Sequence, residues 1–167
     1  EPVRSNLSPA EARELRFEIE EFNTEYARTL DAGEVEGWTE FFTEDGFYRV
    51  TARENADAGL PVGLVWCEGR AMLRDRAAAI LKTMVYAPRY MRHLIANVRV
   101  NGREPDGAIV AEANYLILET LMEDETRIFQ TGQYRDVFVR GPDGLRLRSR
   151  DCVYDSHLIP NDMVYPA

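Results

Sequence analysis

The stretch RIFQTGQYRDVFVRGPDGLRLRSRDCVYDS, residues 127–156, decides the fold class of this chain. Two runs rich in Val, Phe, Tyr, Leu and Arg flank RGPDG, whose Pro-Asp-Gly centre is turn chemistry between strands. Residues 127–140 and 145–156 therefore read as an antiparallel hairpin. Upstream, 89–101 and 108–122 have the same strand character, with NGREPDG between them and EDE leading into 127. Everything after Pro88 is thus expected to form a four-strand antiparallel meander.

Ahead of Pro88 the period changes. Ser8-Pro9-Ala10-Glu11 has the form of a capping box with proline at the first helical position. Leu15, Ile19, Phe22, Tyr26 and Leu30 follow at helical spacing, and Gly33 stops the run. A short helix fits 34–42, with Val35, Trp38, Phe41 and Phe42 inward. Thr43-Glu44-Asp45-Gly46 reads as a turn, 47–51 as a strand, 52–61 as a loop, 62–67 as a second strand and 68–84 as a third helix. Helices gathered early and strands gathered late make an α+β fold in which the sheet wraps around the helices.

The chain has 167 residues, enough for one domain spanning 1–167 with a single core, and 1–7 reads as a flexible N-terminal extension. No apolar run approaches a membrane span, and EPVRSNLSPAE lacks the apolar core of a secretion signal, so a cytoplasmic protein is expected. A net charge of −9 argues against nucleic acid and anionic membrane as partners. Cys67 and Cys152 fit buried thiols in a reducing compartment, and nothing in their spacing supports a disulfide.

Motifs for cofactors are missing. There is no Cys-x-His or Cys-x-x-His pair for a Rieske cluster, no phosphate-cradling glycine loop and no serine nucleophile elbow. His93, His157 and Asp155 could make up a two-histidine, one-carboxylate iron set by count alone, without a supporting motif. No metal site is expected.

Acid–base chemistry is the rival reading. A sheet curled around helices makes a conical pocket, and Tyr26, Tyr48 and His93 could meet inside it as a dehydratase or isomerase site. Alternation along 89–101 puts His93, Ile95, Asn97 and Arg99 on one face and Leu94, Ala96, Val98 and Val100 on the other. The apolar set is the natural core face, so His93 is expected on a polar sheet face unless a bulge breaks the period. Asp31 sits at a helix C-terminus, where a carboxylate opposes the dipole, which is consistent with a salt bridge to a neighbour or with no role at all. Arg146, Arg148 and Arg150 alternate with Leu145, Leu147 and Ser149, and are expected to line one outer face, either simply solvated or docked onto a carboxylate-bearing partner. Arg135 on the facing strand shares a side with Gln133, Val137 and Val139, giving a mixed basic and apolar surface suited to a partner chain.

In order along the chain, FNTEYARTLDAGEVEGWTEFFTEDGFYRV (22–50), AMLRDRAAAI (71–80), RHLIANVRV (92–100) and GQYRDVFVR with DGLRLRSRDCVYDS (132–156) resemble the small (beta) subunits of aromatic-ring-hydroxylating oxygenases, the Rieske non-haem iron family. The resemblance implies a cystatin-like (NTF2-like) cone, three helices packed in a strongly curved, mostly antiparallel sheet. It implies a non-catalytic chain that supports a large alpha subunit carrying a Rieske 2Fe–2S cluster and mononuclear Fe(II), with electrons from NAD(P)H through a reductase. An α3β3 assembly with other beta chains is implied as well. On that view Arg92, His93, Asn97, Arg99, Arg135, Arg146, Arg148 and Arg150 are structural or interface residues. ENADAGLP (54–61) and CEGRAMLRDR (67–76) look like beta chains of systems acting on salicylate, anthranilate or terephthalate.

Overall fold

In a computed structural model, residues 6–84, 88–155 and 165–167 are described. The order is α1 (Pro9–Asp31), α2 (Val35–Trp38) running into a 3-10 turn (Thr39–Phe41), β1 (Phe42–Ala52), α3 (Arg53–Asp57), β2 (Val65–Glu68) and α4 (Arg70–Met84). The meander follows: β3 (Arg89–Arg103), β4 (Ile109–Leu121), β5 (Thr126–Gly141) and β6 (Gly144–Tyr154). The expected α+β order holds, with one addition. The stretch read as a loop contains α3, a short helix that buries no side chain.

Helix α1 starts where the capping box predicts. Ser8 Oγ accepts from the Glu11 amide at 3.2 Å and Glu11 answers on the Ser8 amide at 2.9 Å. Two amides that the helix leaves without carbonyl partners are thereby satisfied. Gly33 ends the helix in the left-handed region (φ 79°), its amide returning to the Leu30 carbonyl. Of the segment read as a flexible extension, 1–5 lies outside the described residues. Asn6 is tethered, exchanging hydrogen bonds with the Arg103 backbone at 2.8 and 3.2 Å.

One six-stranded sheet runs β2-β1-β6-β5-β4-β3. Every pairing is antiparallel except β1 with β6, which is parallel. A strand from the front of the chain thus lies beside the last one, and the sheet curls around α1, α2 and α4. Leu15, Ile19, Tyr26 and Leu30 of α1, Trp38 of α2 and Leu73, Ala77 and Ile80 of α4 are buried against the inner sheet face.

Three irregularities set which side chains face inward. In β1 the expected turn 43–46 is a bulge between Phe42, opposite Leu147, and Phe47, opposite Ser149. In β3 the register shifts between Ala96 and Arg99, and Asn97 takes the left-handed backbone (φ 57°). Asn adopts that conformation more readily than other residues with a Cβ. In β6 the register shifts where Val137 faces Ser149 while Phe138 faces Leu147, which leaves Arg148 as the extra residue. Since strand side chains alternate, one extra residue exchanges inside for outside beyond it.

Candidate functional site

The bulges relocate two residues read as lying on an outer face. Around His93 the buried positions are Met91 and His93, while Leu94 and Ala96 face solvent; beyond Asn97 the buried positions are Val98 and Gly102. The reading of His93 as a polar-face residue, with Leu94 and Ala96 in the core, is therefore corrected. Likewise Arg150 is completely buried, whereas Arg146 and Arg148 stay partly exposed. Neither His93 nor Arg150 can meet a partner through a surface that it does not have.

Within the cone Tyr26, Tyr48 and His93 do come together, as the rival reading expected, and they close on the chain's own segment 165–167. Tyr26 from α1 donates to the Ala167 carbonyl at 2.7 Å and accepts from the Trp38 indole N–H at 2.9 Å. Tyr48 from β1 donates to the same carbonyl at 3.4 Å and accepts from the Ala167 amide at 2.9 Å. His93 Nε2 lies 2.9 Å from the Pro166 carbonyl oxygen; a carbonyl only accepts, so Nε2 donates. The other side of the ring meets Asp31, with Nδ1 2.7 Å from Oδ1 and the His93 amide donating to both oxygens at 3.0 and 3.2 Å. Asp31 thus has the neighbour that its position at a helix C-terminus suggested. Tyr165 donates to the Leu30 carbonyl.

Chemically, two phenols and an imidazole aimed at carbonyl oxygens could polarise a bound carbonyl compound. Burial pushes both phenols well above the usual tyrosine range, which keeps them protonated as donors. Here the acceptors are backbone oxygens of residues 166 and 167.

Beside this cluster, Arg150 forms a two-point ion pair with Asp136 at 2.9 and 3.0 Å and donates to Asn23 Oδ1 at 2.7 Å. Its guanidinium lies between the rings of Tyr26 and Tyr134, 4.3 and 4.0 Å from their centroids. Burial drives the Asp136 carboxyl upward against the pull of Arg150; for Arg150 burial acts downward, and Asp136 together with Tyr26 and Tyr134 more than offsets it. Glu119, equally buried, is held by Arg89 at 2.7 Å and Arg127 at 2.6 Å. Composition offered no signal for Asp136, Asn23 or Glu119. The β6 bulge, which places Arg150 opposite Asp136, was the missing information.

The remaining basic residues sit outside the core. Arg92 and Arg99 are exposed on β3, Arg135 meets Asp57 at 3.2 Å, and Arg148 meets Asp106 at 2.8 Å. Arg146 donates to the Glu40 carbonyl. Asn97 is exposed at the β3 bulge.

Both cysteines are free and buried. They sit on β2 and β6, with β1 between those strands. Burial raises both thiols above the ordinary cysteine range, so little thiolate is available at neutral pH. A thiol-reactive dye at pH 8 is therefore expected to label neither residue in the folded chain and both after denaturation. Rapid labelling of the native protein would contradict the burial of Cys152.

Among the described residues no three metal-ligating side chains form a cluster, and His157 lies outside them. No described helix is long and apolar enough to cross a membrane.

Fold and site together define an NTF2-like α+β cone whose inward donors are taken up by the chain's own segment. Residues 25–161 match the family model of the ring hydroxylating beta subunit, and the chain belongs to that family. It is 37% identical over 150 residues to the anthranilate 1,2-dioxygenase small subunit of Burkholderia cepacia, covering 90% of this chain and 92% of that one. It is 34% identical over 150 residues to a beta subunit (beta 2) of the terephthalate 1,2-dioxygenase terminal oxygenase component of Comamonas, covering 90% and 97%. A crystal structure assigned as the beta subunit of an aromatic-ring-hydroxylating dioxygenase from Novosphingobium aromaticivorans superposes with a TM-score of 0.82 at 36% identity, covering 93% and 99%.

Proposed function

We propose that this chain is the structural small subunit of a terminal oxygenase that hydroxylates an aromatic carboxylic acid of the anthranilate, salicylate or terephthalate class. Relatives at 34–37% identity named for anthranilate and terephthalate support that substrate class. In this reading a large alpha subunit carries the Rieske 2Fe–2S cluster and the mononuclear Fe(II). Electrons come from NAD(P)H through a reductase, and the assembly is a cytoplasmic α3β3 with contacts between beta chains.

What favours a supporting role over a stand-alone dehydratase or isomerase is the occupation of the cone. Tyr26, Tyr48 and His93 each direct a hydrogen bond to the backbone of residue 166 or 167, and their remaining bonds go to Trp38, the Ala167 amide and Asp31. A substrate carbonyl would have to displace that segment to reach them.

The outer face supplies the surface that a supporting subunit needs. Arg92, Leu118 and Ile128 lie opposite one another across β3, β4 and β5, with Leu94 two residues along β3 on the same side. Leu94, Tyr90 and Ile128 are all exposed. An apolar patch rimmed by arginine suits a protein interface better than water. We assign Arg92, Asn97, Arg99, Arg135, Arg146 and Arg148 to surfaces that meet partner chains.

The test is co-expression of the tagged chain with its large subunit, followed by native mass and a visible spectrum. A red-brown complex containing an iron-bearing larger chain supports the proposal. A colourless homo-oligomer that turns over a carbonyl substrate overturns it.

A further inference from the structure

A groove of about 670 Å³ opens between the outward side of α1, the segment 34–41 and the β5–β6 turn. Its floor is apolar: Phe22 and Phe41 meet edge-on at 5.3 Å, Leu145 joins them, and the buried Phe138 backs Phe22 from beneath at 5.1 Å. Phe17, five residues before Phe22 on α1, stands 64% exposed at its edge. A large aromatic side chain left in water beside an apolar floor marks a surface that gains by being covered.

The rim is predominantly acidic. Glu18, Glu21, Glu25, Glu34, Glu40 and Asp143 line the groove, with Arg146 as its single basic residue. Arg146 is turned onto the Glu40 carbonyl. Glu18 is paired with Arg140 at 2.8 Å, Glu40 lies 3.5 Å from Arg74 and 3.8 Å from Arg70, and Glu25 has only the solvent-exposed Arg28 at 3.8 Å. Glu21, Glu34 and Asp143 have no ion pair among the described residues. Carboxylates crowded around an apolar floor repel one another and create a negative potential that a cation relieves. A complementary occupant has an apolar side chain for the floor and arginine or lysine for the rim.

We propose that this groove receives a segment of the large oxygenase subunit in which an apolar side chain is flanked by basic residues. The proposal rests on the assembly reading above and adds to it the face through which the two subunits meet. Arginine is the better fit to the rim, since its planar fork can bind a carboxylate at two points. A second copy of this chain fits less well. The net charge of −9 would bring two acidic surfaces together, and Arg140 and Arg146 near the groove are already engaged.

The experiment co-expresses the tagged full-length chain with its large subunit and compares wild type, Glu21→Arg/Glu25→Arg, Phe17→Ser and a control, Asp75→Arg, on the exposed side of α4. All four substitutions fall on exposed positions, and circular dichroism with Tm checks that each variant is folded. A milder pair, Glu21→Gln/Glu25→Gln, provides a second measure if charge reversal disturbs α1. Expected results are an association with the large subunit weakened about tenfold or more by charge reversal and by Phe17→Ser, and no change with Asp75→Arg. Wild-type association should also weaken as salt rises.

Unchanged association in every folded groove variant overturns the proposal while leaving the assembly intact. A change in the oligomeric state of the small chain on its own, with normal large-subunit binding, would make the groove a contact between copies and also overturns it. Failure of the wild type itself to bind the large subunit would instead strike the assembly reading, and the proposal with it.

Discussion

Replacing Arg150 with methionine is expected to cost about 3–5 kcal/mol of folding stability, because it leaves the Asp136 carboxylate buried without a counter-charge. The loss has three parts: the two-point ion pair, the bond to Asn23, and the guanidinium between the Tyr26 and Tyr134 rings. The pair itself is not a large net source of stability, since both charges had to leave water. Arg150 Nη1, Asn23 Nδ2 and the Tyr134 hydroxyl have no partner among the described residues, so the network is incompletely satisfied. The double replacement Arg150→Met/Asp136→Leu is accordingly expected to recover most of the single-variant loss. Urea unfolding of the two single variants and the double variant closes the cycle. A single variant within about 1 kcal/mol of wild type would mean that Arg150 is not buried against Asp136 in solution.

Stopping the chain after residue 164 is expected to cost a further large fraction of stability, about 3–5 kcal/mol, seen as a fall in Tm of roughly 10 °C. Tyr165 and Ala167 are almost fully buried, and their removal strips an aromatic side chain from the core. It also takes the acceptors from Tyr26, Tyr48 and His93 at once. Water entering the opened cone would satisfy part of that loss, which holds the expected value below the sum of the separate terms. A thermal melt of the folded, full-length chain against the shortened one reads the difference. An unaltered Tm would show that residues 165–167 do not occupy the cone, and would reopen the reading in which Tyr26, Tyr48 and His93 face a substrate.

These two results bear on function through one physical point. A dehydratase or isomerase of this shape needs polar groups that are buried yet still available to a ligand. In this chain the groups are buried and their bonds are taken. The same residues that would carry chemistry hold the interior together.

Much of this was legible in the residues. The capping box at Ser8, the stop at Gly33, the helical spacing of Leu15, Ile19, Tyr26 and Leu30, and the four strands after Pro88 all follow from local periods and turn chemistry. Those patterns are written over a few neighbouring positions, so a linear reading reaches them. The family resemblance was legible for the same reason, as an ordered set of such pieces, and the family match over 25–161 bears it out.

Tertiary structure alone decided the faces. Asn97 in the middle of a strand was the one local hint of a bulge, and nothing in LRLRSRD marks Arg148 as the extra residue. Each bulge is fixed by the partner strand, and beyond it every inward and outward position is exchanged. That exchange took His93 and Arg150 from the expected surface to the interior. The partners they found there are distant in sequence: Asp31 and Pro166 for His93, Asn23 and Asp136 for Arg150. The order of elements and the family were thus determined by the sequence on its own. Which titratable groups are buried, and against what, depended on strand register, because one residue of slip costs little in local propensity and reverses the whole pattern of burial.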